Sequence, residues 1–173
     1  MPVSFQAPKR GDKDKNKTVS QSNESNLAQD TATVQDVLTK KGDTVFSIRP
    51  EDTLGQAVEL LSEKHIGALV VTDANGELKG ILSERDIVRK LAQTPGKTLP
   101  HKTEQVMTSN VETCTRQESL ISVLSRMTEG RFRHMPVVEN NRLFGIVTIG
   151  DVVNYRLVEL EYEALQLKQL VVG

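Results

Sequence analysis

The sequence predicts an α+β fold in which two tandem β-α-β-β-α repeats pack sheet to sheet, followed by an extended C-terminal helix. Three observations predict it. Gly80-Ile81-Leu82-Ser83-Glu84-Arg85-Asp86-Ile87-Val88 recurs 65 residues later as Gly145-Ile146-Val147-Thr148-Ile149-Gly150-Asp151-Val152-Val153. Upstream, Val70-Val71 matches Val137-Val138, and Val45 through Leu54 matches Val111 through Leu120. Each copy also runs through the same order of apolar runs and turn signals. Repetition at a fixed period marks a fold built from duplicated units. One unit of about 60 residues is marginal by itself, so the two should cover each other.

Each repeat opens on a short strand, Val45 to Ile48 and Val111 to Cys114. Helices follow at Thr53 to Lys64 and Ser119 to Glu129. In the first, Leu54, Ala57, Val58 and Leu61 recur at helical spacing and form one apolar face. Asp52 or Thr53, and Ser119 in the second copy, are the capping candidates. Apolar strands come next, Ala68 to Val71 and Met135 to Val138. Asp73-Ala74-Asn75-Gly76 is a strong turn signal and Glu139-Asn140-Asn141 a weaker one. Third strands, Leu78 to Leu82 and Leu143 to Val147, run into helices that start at Ser83 or Thr148.

Residues 1–30 are rich in Lys, Asn, Ser, Gln and Asp and hold hardly any large apolar residue. Such a stretch buries too little surface to offset its ordering entropy, and a disordered tail is expected. Lys9, Arg10, Lys13, Lys15 and Lys17 alternate with Asp12 and Asp14, unlike an acid-poor transit segment. No apolar run reaches signal-peptide length or the roughly 20 residues of a membrane helix. A single cysteine, Cys114, excludes an internal disulfide and a multi-cysteine zinc site. A reducing, cytoplasmic setting follows. The net charge of −1 and the 3% aromatic content give little support to nucleic-acid binding, for which only the small basic cluster at Arg131 to His134 speaks.

The duplicated motif carries chemistry. Ser83 and Thr148 fall where a strand turns into a helix, so their hydroxyls and the free N–H groups of the first turn point one way, toward an anion. Asp86 and Asp151 sit three residues on, on the same turn, and a carboxylate accepts from both hydroxyls of a ribose diol. Phosphate donors beside a diol acceptor describe a nucleotide. The same residues also read as plain N-caps followed by favourable first-turn acids.

With Arg131-Phe132-Arg133-His134-Met135-Pro136-Val137 added, the doubled Gly-apolar-apolar-Ser/Thr-x-x-Asp motif resembles the CBS-domain family. The pair is similar to a stand-alone tandem CBS protein, or Bateman module, over roughly residues 32–157. The resemblance implies Ser/Thr toward phosphate and Asp on ribose. It also implies that basic residues before the second repeat's middle strand reach phosphate: Arg133 and His134, with Arg131 outlying. The first repeat departs from this, offering Ile66-Gly67 with only His65 nearby. Arg85 is a further phosphate candidate. A flat apolar slot for the purine is expected among Val45, Ile66, Gly67, Ala68, Val111, Met135 and Pro136.

The organisation expected is a tail over 1–30, a first CBS domain over 31–93, a linker over 94–103, a second CBS domain over 104–157 and a helical extension over 158–173. The function implied is a regulatory sensor of adenine nucleotides, AMP first, then ATP, ADP or NAD(H), without a metal and without catalysis. A structural dimerisation module with vestigial sites is the alternative. An enzyme would need a base near the phosphate, for which only His134 offers itself. Cys114 reads as a core thiol, and His101, in the linker, as a solvated side chain. Val153, Leu157, Leu160, Ala164, Leu167 and Val171 are spaced 4, 3, 4, 3, 4, a heptad seam with Glu159, Glu161 and Glu163 on its flanks. The seam reads as a self-association contact or as a helix folded back on its own domain; the resemblance to CBS pairs, which commonly dimerise, implies a homodimer. An unknown regulated protein completes the partners; no membrane is expected among them.

Overall fold

The computed structural model describes residues 32–172. The expected tail over 1–30 lies outside the described residues. In chain order the elements are α1 (Val34–Lys41), β1 (Ser47–Ile48), α2 (Leu54–Lys64), β2 (Ala68–Thr72), β3 (Leu78–Ser83), α3 (Glu84–Gln93), a 3-10 turn (Thr103–Gln105), α4 (Leu120–Gly130), β4 (His134–Glu139), β5 (Arg142–Thr148) and α5 (Ile149–Val172).

The first half is a sheet ordered β1-β2-β3, with β1 parallel to β2 and β2 antiparallel to β3. Leu54, Ala57 and Leu61 of α2 pack with Leu69, Val71 and Leu82 of the sheet to make its core. Val58, expected on that face, is 38% exposed and lies at its edge. Val70 points the other way and is fully buried too, so both faces of β2 are covered. The second half repeats the plan around Leu120, Val123, Met127, Met135 and Val147. Both hairpins carry a register shift at the same place, Val71/Thr72 and Val137/Val138, so Val71-Thr72, and not the Val70-Val71 of the sequence match, is the counterpart of Val137-Val138.

The strand expected over Val111 to Cys114 is reduced to one parallel bridge, Cys114 to Val137. Its neighbour is drawn elsewhere: the Thr113 carbonyl accepts from Arg126 Nη2 at 2.6 Å, so it is not offered to a ladder. Thr53 and Ser119 cap α2 and α4 as expected, accepting from Gln56 N and Ser122 N. Both helices end on a residue in the left-handed region, His65 (φ 53°) and Arg131 (φ 56°). That conformation costs a non-glycine residue on the order of 1 kcal/mol, and here it turns the chain sharply into β2 and β4.

The segment leading into each repeat packs on the other repeat. Helix α1 is capped by Thr33, whose N–H and hydroxyl both donate to Asp36 Oδ2 at 2.7 and 2.8 Å. Its Val34, Val37 and Leu38 belong to the second core. Leu120 N donates to Ala32 O and Val34 N to Glu118 O, both at 3.0 Å. In the first half the matching bonds are Leu54 N to His101 O and Thr103 N to Asp52 O, both 2.8 Å. Residues 98–108 are therefore not a free tether: Thr98 and Thr103 are buried, and Val106 and Met107 pack on the first core. His101, expected to be solvated, is partly buried with Nδ1 2.8 Å from Lys97 O.

The glycine of the duplicated motif makes this exchange possible. A Cβ on Gly80 would stand 2.6 Å from Met107 Sδ and 2.9 Å from Thr108 O. A Cβ on Gly145 would stand 2.8 Å from Leu38 Cδ2. Each crossing segment lies directly on the strand that leads into a motif helix.

Candidate functional site

Ser83 ends β3 and caps α3. Its backbone N–H and its hydroxyl both donate to Asp86 Oδ2, at 2.9 and 2.6 Å, while Asp86 N donates back to Ser83 Oγ at 3.4 Å. Ser83 and Asp86 are thus a capping box, and the plain-cap reading holds as far as it goes. All these bonds to the Asp86 carboxylate fall on Oδ2, and Asp86 still lines an open cavity.

That cavity, of about 770 Å³, lies between the halves. The first half contributes Gly67, Ser83, Arg85, Asp86 and Arg89. The second half contributes Val111, Arg126, Arg131, Arg133 and His134. Eight of the residues picked out in the sequence meet here: Ser83, Arg85, Asp86, Arg131, Arg133, His134, Gly67 and Val111. The left-handed turn at Arg131 explains why three basic side chains within four residues reach it. Arg85 Nη1 donates to the Arg131 carbonyl at 2.9 Å, and so ties α3 to the end of α4.

The remaining candidates lie elsewhere. Met135 is fully buried in the second core, Pro136 and Ala68 are buried in the middle strands, and Ile66 packs against the first core. Val45 is partly buried ahead of β1. Consecutive residues of a strand face opposite sides, so Met135 and Pro136 of β4 cannot both face one slot.

The cavity also holds residues that the sequence reading passed over. Arg89 stands one helical turn after Arg85, a spacing that would have found it. Arg126 does not act as a free cation; it is held by Glu112 at 2.6 Å and Glu118 at 2.8 Å. Thr108 and Asn110 line the cavity because Ile81 and Thr108 exchange backbone bonds at 3.0 and 2.9 Å, a pairing without a local sequence signal. Among the described residues Arg89, Arg131 and Arg133 make no salt bridge, so their charge is open to an anion. Burial, and then the charge of Arg133, lower the pKa of His134 and keep its ring neutral near pH 7.

The second motif site is built alike but surrounded differently. Thr148 N donates to Asp151 Oδ2 at 2.9 Å and Asp151 N to Thr148 Oγ1 at 3.1 Å. Lys41, at the end of α1, places Nζ 2.6 Å from Asp151 Oδ2 and 3.1 Å from Ile146 O. Burial raises the Asp151 pKa, yet the bonds from Lys41 and Thr148 outweigh it and hold the carboxyl below its ordinary range. Neither Thr148 nor Asp151 lines the cavity at Asp86. Backbone pairing aligns the repeats: Glu84 N donates to Gly67 O and Ile149 N to Arg133 O. Arg133 and His134 therefore stand where the first half has Gly67 and Ala68.

Elsewhere, Cys114 is 2% exposed and burial pushes its thiol up to about 12, so it stays protonated in the core. No group of residues suited to a metal ion occurs among the described residues. No described helix is long and apolar enough to cross a membrane.

The CBS domain family model matches the chain twice, over residues 33–93 and 104–158. The chain is similar to the CBS domain-containing protein CBSX3, mitochondrial, of Arabidopsis thaliana, at 30% identity over 83% of this chain and 74% of the relative. A 17.7 kDa protein of Acidianus ambivalens is 32% identical over 62% of this chain and 64% of its own length, just under two thirds. Among solved structures, the CBS-domain containing protein ATU1752 of Agrobacterium tumefaciens superposes with a TM-score of 0.71 at 42% identity, over 73% of this chain and 94% of that one. The CBS domain pair of MJ0100, solved with 5-methylthioadenosine and S-adenosyl-L-methionine, superposes with a TM-score of 0.66 at 28% identity, over 75% and 98%. With a motif helix in each half and a family match over each repeat, this chain belongs to the CBS-domain family, as a tandem pair.

Proposed function

We propose that the chain is a non-catalytic regulatory module that binds an adenine nucleotide, AMP first and ATP, ADP or NAD(H) after it, in the cavity between its halves. The observation that carries this reading is the joining of Asp86 and the α3 N-terminus with Arg131, Arg133 and His134 around about 770 Å³. Ligand sites run from about 300 to 1,000 Å³, so the volume suits a nucleotide. In this reading Asp86 takes the ribose diol through Oδ1. The Arg85, Arg131 and Arg133 side chains face phosphate, while Ser83, whose hydroxyl donates to Asp86 Oδ2, holds that carboxylate in place. His134, neutral, donates or accepts one bond. Val111 and the bare Gly67 flank the base. The adenosine-containing ligands of the MJ0100 pair support the class of ligand.

A ligand in this cavity touches both halves, so it favours whichever arrangement closes them on it. Arg85, already bonded across the gap, is the side chain through which phosphate would alter that contact. The reading places the module in the cytoplasm, where its protonated, buried Cys114 needs no partner. The regulated protein would be met through the surface that moves.

Self-association is part of the proposal. Val153, Leu157, Leu160, Leu167 and Val171 of α5 are 44–86% exposed, so the seam is not folded back on its own domain. In a parallel pair of these helices, Arg156 would face the partner's Glu161, and Glu163 the partner's Lys168. An antiparallel pair would set Glu161 and Glu163 against their own copies. The charges favour the parallel homodimer.

Calorimetric titration with AMP, ATP and NADH is the test. Saturable binding that Asp86→Ala abolishes, with the fold intact by circular dichroism, is the expected result. An unchanged affinity in Asp86→Ala would remove the ribose assignment. Absence of binding by every nucleotide would leave the module with its dimer surface alone.

A further inference from the structure

We propose that Lys41 closes the second motif site, so that each chain takes one nucleotide, at Asp86, although its sequence carries the motif twice. This rests on the nucleotide reading above and adds to it which of the two sites works and why.

The two helix starts are chemically alike, and the difference lies in what the crossing segments deliver to them. Helix α1 lies on β5 because Gly145 leaves room for Leu38. The 98–108 segment lies on β3 because Gly80 leaves room for Met107. Leu38 and Met107 are therefore equivalent, and the residue three positions further on faces the motif in each half. In the first half that residue is Asn110, a neutral amide on the rim of the open cavity. In the second half it is Lys41.

The Lys41 ammonium pairs with the carboxylate that a ribose there would need, at 2.6 Å from Asp151 Oδ2, and is steadied by the neighbouring Ile146 carbonyl at 3.1 Å. Both partners of the ion pair are partly shielded from water, at 33% and 22% side-chain exposure. A charge-assisted bond of this kind is roughly twice as strong as one from a neutral hydroxyl. Lys41 is also tethered by α1, which is fixed by its own core contacts, so its pairing with Asp151 is intramolecular and sacrifices no translational freedom. A diol arriving from solution at Oδ1 meets a carboxylate whose charge Lys41 has already neutralised, and it loses that freedom in full. The second site has no counterpart of Arg131, Arg133 and His134 to compensate, since the first half supplies His65, Gly67 and Ala68 at those positions. Lys41 is thus a built-in occupant of the second site.

The experiment counts sites by calorimetry, with AMP and adenosine as probes, on the full chain. Wild type is expected to bind one AMP per chain and Asp86→Ala none. Lys41→Met is expected to bind two, the new site weaker and taking adenosine about as well as AMP for want of phosphate contacts. Lys41→Met with Asp86→Ala should retain one site, and adding Asp151→Ala should remove it. Lys41→Arg, which keeps the charge, should stay at one. Lys41 is exposed enough that these variants should fold, and a crystal of Lys41→Met grown with adenosine gives an independent reading of the same site. Two equal sites in wild type would overturn the inference, as would a stoichiometry of one in Lys41→Met. Either result would leave the nucleotide reading standing. No binding in any variant would instead overturn the nucleotide reading, and the inference with it.

Discussion

Arg85 Nη1, on the first turn of α3, donates a 2.9 Å hydrogen bond to the backbone carbonyl of Arg131, the residue that ends α4 in the other half. One side chain of the candidate site thus spans the gap between the repeats. Arg85→Ala should weaken AMP by about three- to tenfold, near 1 kcal/mol, and weaken adenosine less. Arg133→Ala should show the same bias without touching the contact between halves. Paired titrations with AMP and adenosine check both; equal losses for the two ligands would contradict a role at phosphate.

Asp86 has two tasks in the proposal, and Asp36 has only one of them. Each accepts from the N–H and hydroxyl of its own N-cap residue, Ser83 or Thr33. Asp36→Ala and Asp86→Ala should therefore each cost about 1 kcal/mol in urea unfolding. Only Asp86→Ala should lose nucleotide. Loss of binding in both variants would show that the cap, and not the carboxylate, is what the site requires.

The two motif glycines differ in what presses on them. At Gly80 a methyl group meets the Thr108 backbone oxygen at 2.9 Å, which cannot swing aside; at Gly145 it meets the end of the Leu38 side chain. Gly80→Ala should destabilise by about 1–3 kcal/mol, and Gly145→Ala by less. Chemical denaturation of the two variants in parallel decides it.

The Lys41–Asp151 pair makes a pH prediction. Asp151 titrates below its ordinary value when folded, so its contribution is fully present above about pH 3.9, the unfolded aspartate value. It is lost as the pH falls through the lower, folded value. Lys41→Met should accordingly unfold at a lower temperature than wild type at about pH 7 and about pH 5, and the gap should narrow below about pH 4. A gap of constant size down to about pH 2.5 would mean that Lys41 stabilises by packing rather than by charge.

The α5 seam is tested by charge exchange. Glu161→Lys with Glu163→Lys would set new positive charges against Arg156 and Lys168 of a parallel second copy, so sedimentation should show a weaker dimer. Adding Arg156→Glu and Lys168→Glu should restore it. Unchanged mass in the first variant would place the dimer contact elsewhere.

Much of this architecture was legible because period and turn chemistry are local properties. The two hairpins, the helices at Thr53 and Ser119 and the motif helices all announce themselves within a dozen residues. Helix α1 carries an equally local signal, with Val34, Val37 and Leu38 on one face behind a Thr33-x-x-Asp36 cap, but along the chain it reads only as the lead of the first domain. What no local pattern reveals is that α1 serves the second core, or that residues 98–108 fold back on the first. For the same reason the basic cluster at Arg131–His134 could be picked out as a phosphate candidate, but not placed beside Asp86 rather than Asp151. Lys41 is one lysine among many until the fold brings it to a carboxylate 110 residues away.

The crossed leading segments have a consequence for how such a chain could arise and how it comes apart. Each repeat completes its interior with a piece borrowed from its sibling, which is what two separate single-repeat chains would do by trading arms. Fusing them end to end turns a trade between molecules into a trade within one. Cutting the present chain between the repeats should therefore yield fragments that are unstable apart yet reassemble when mixed.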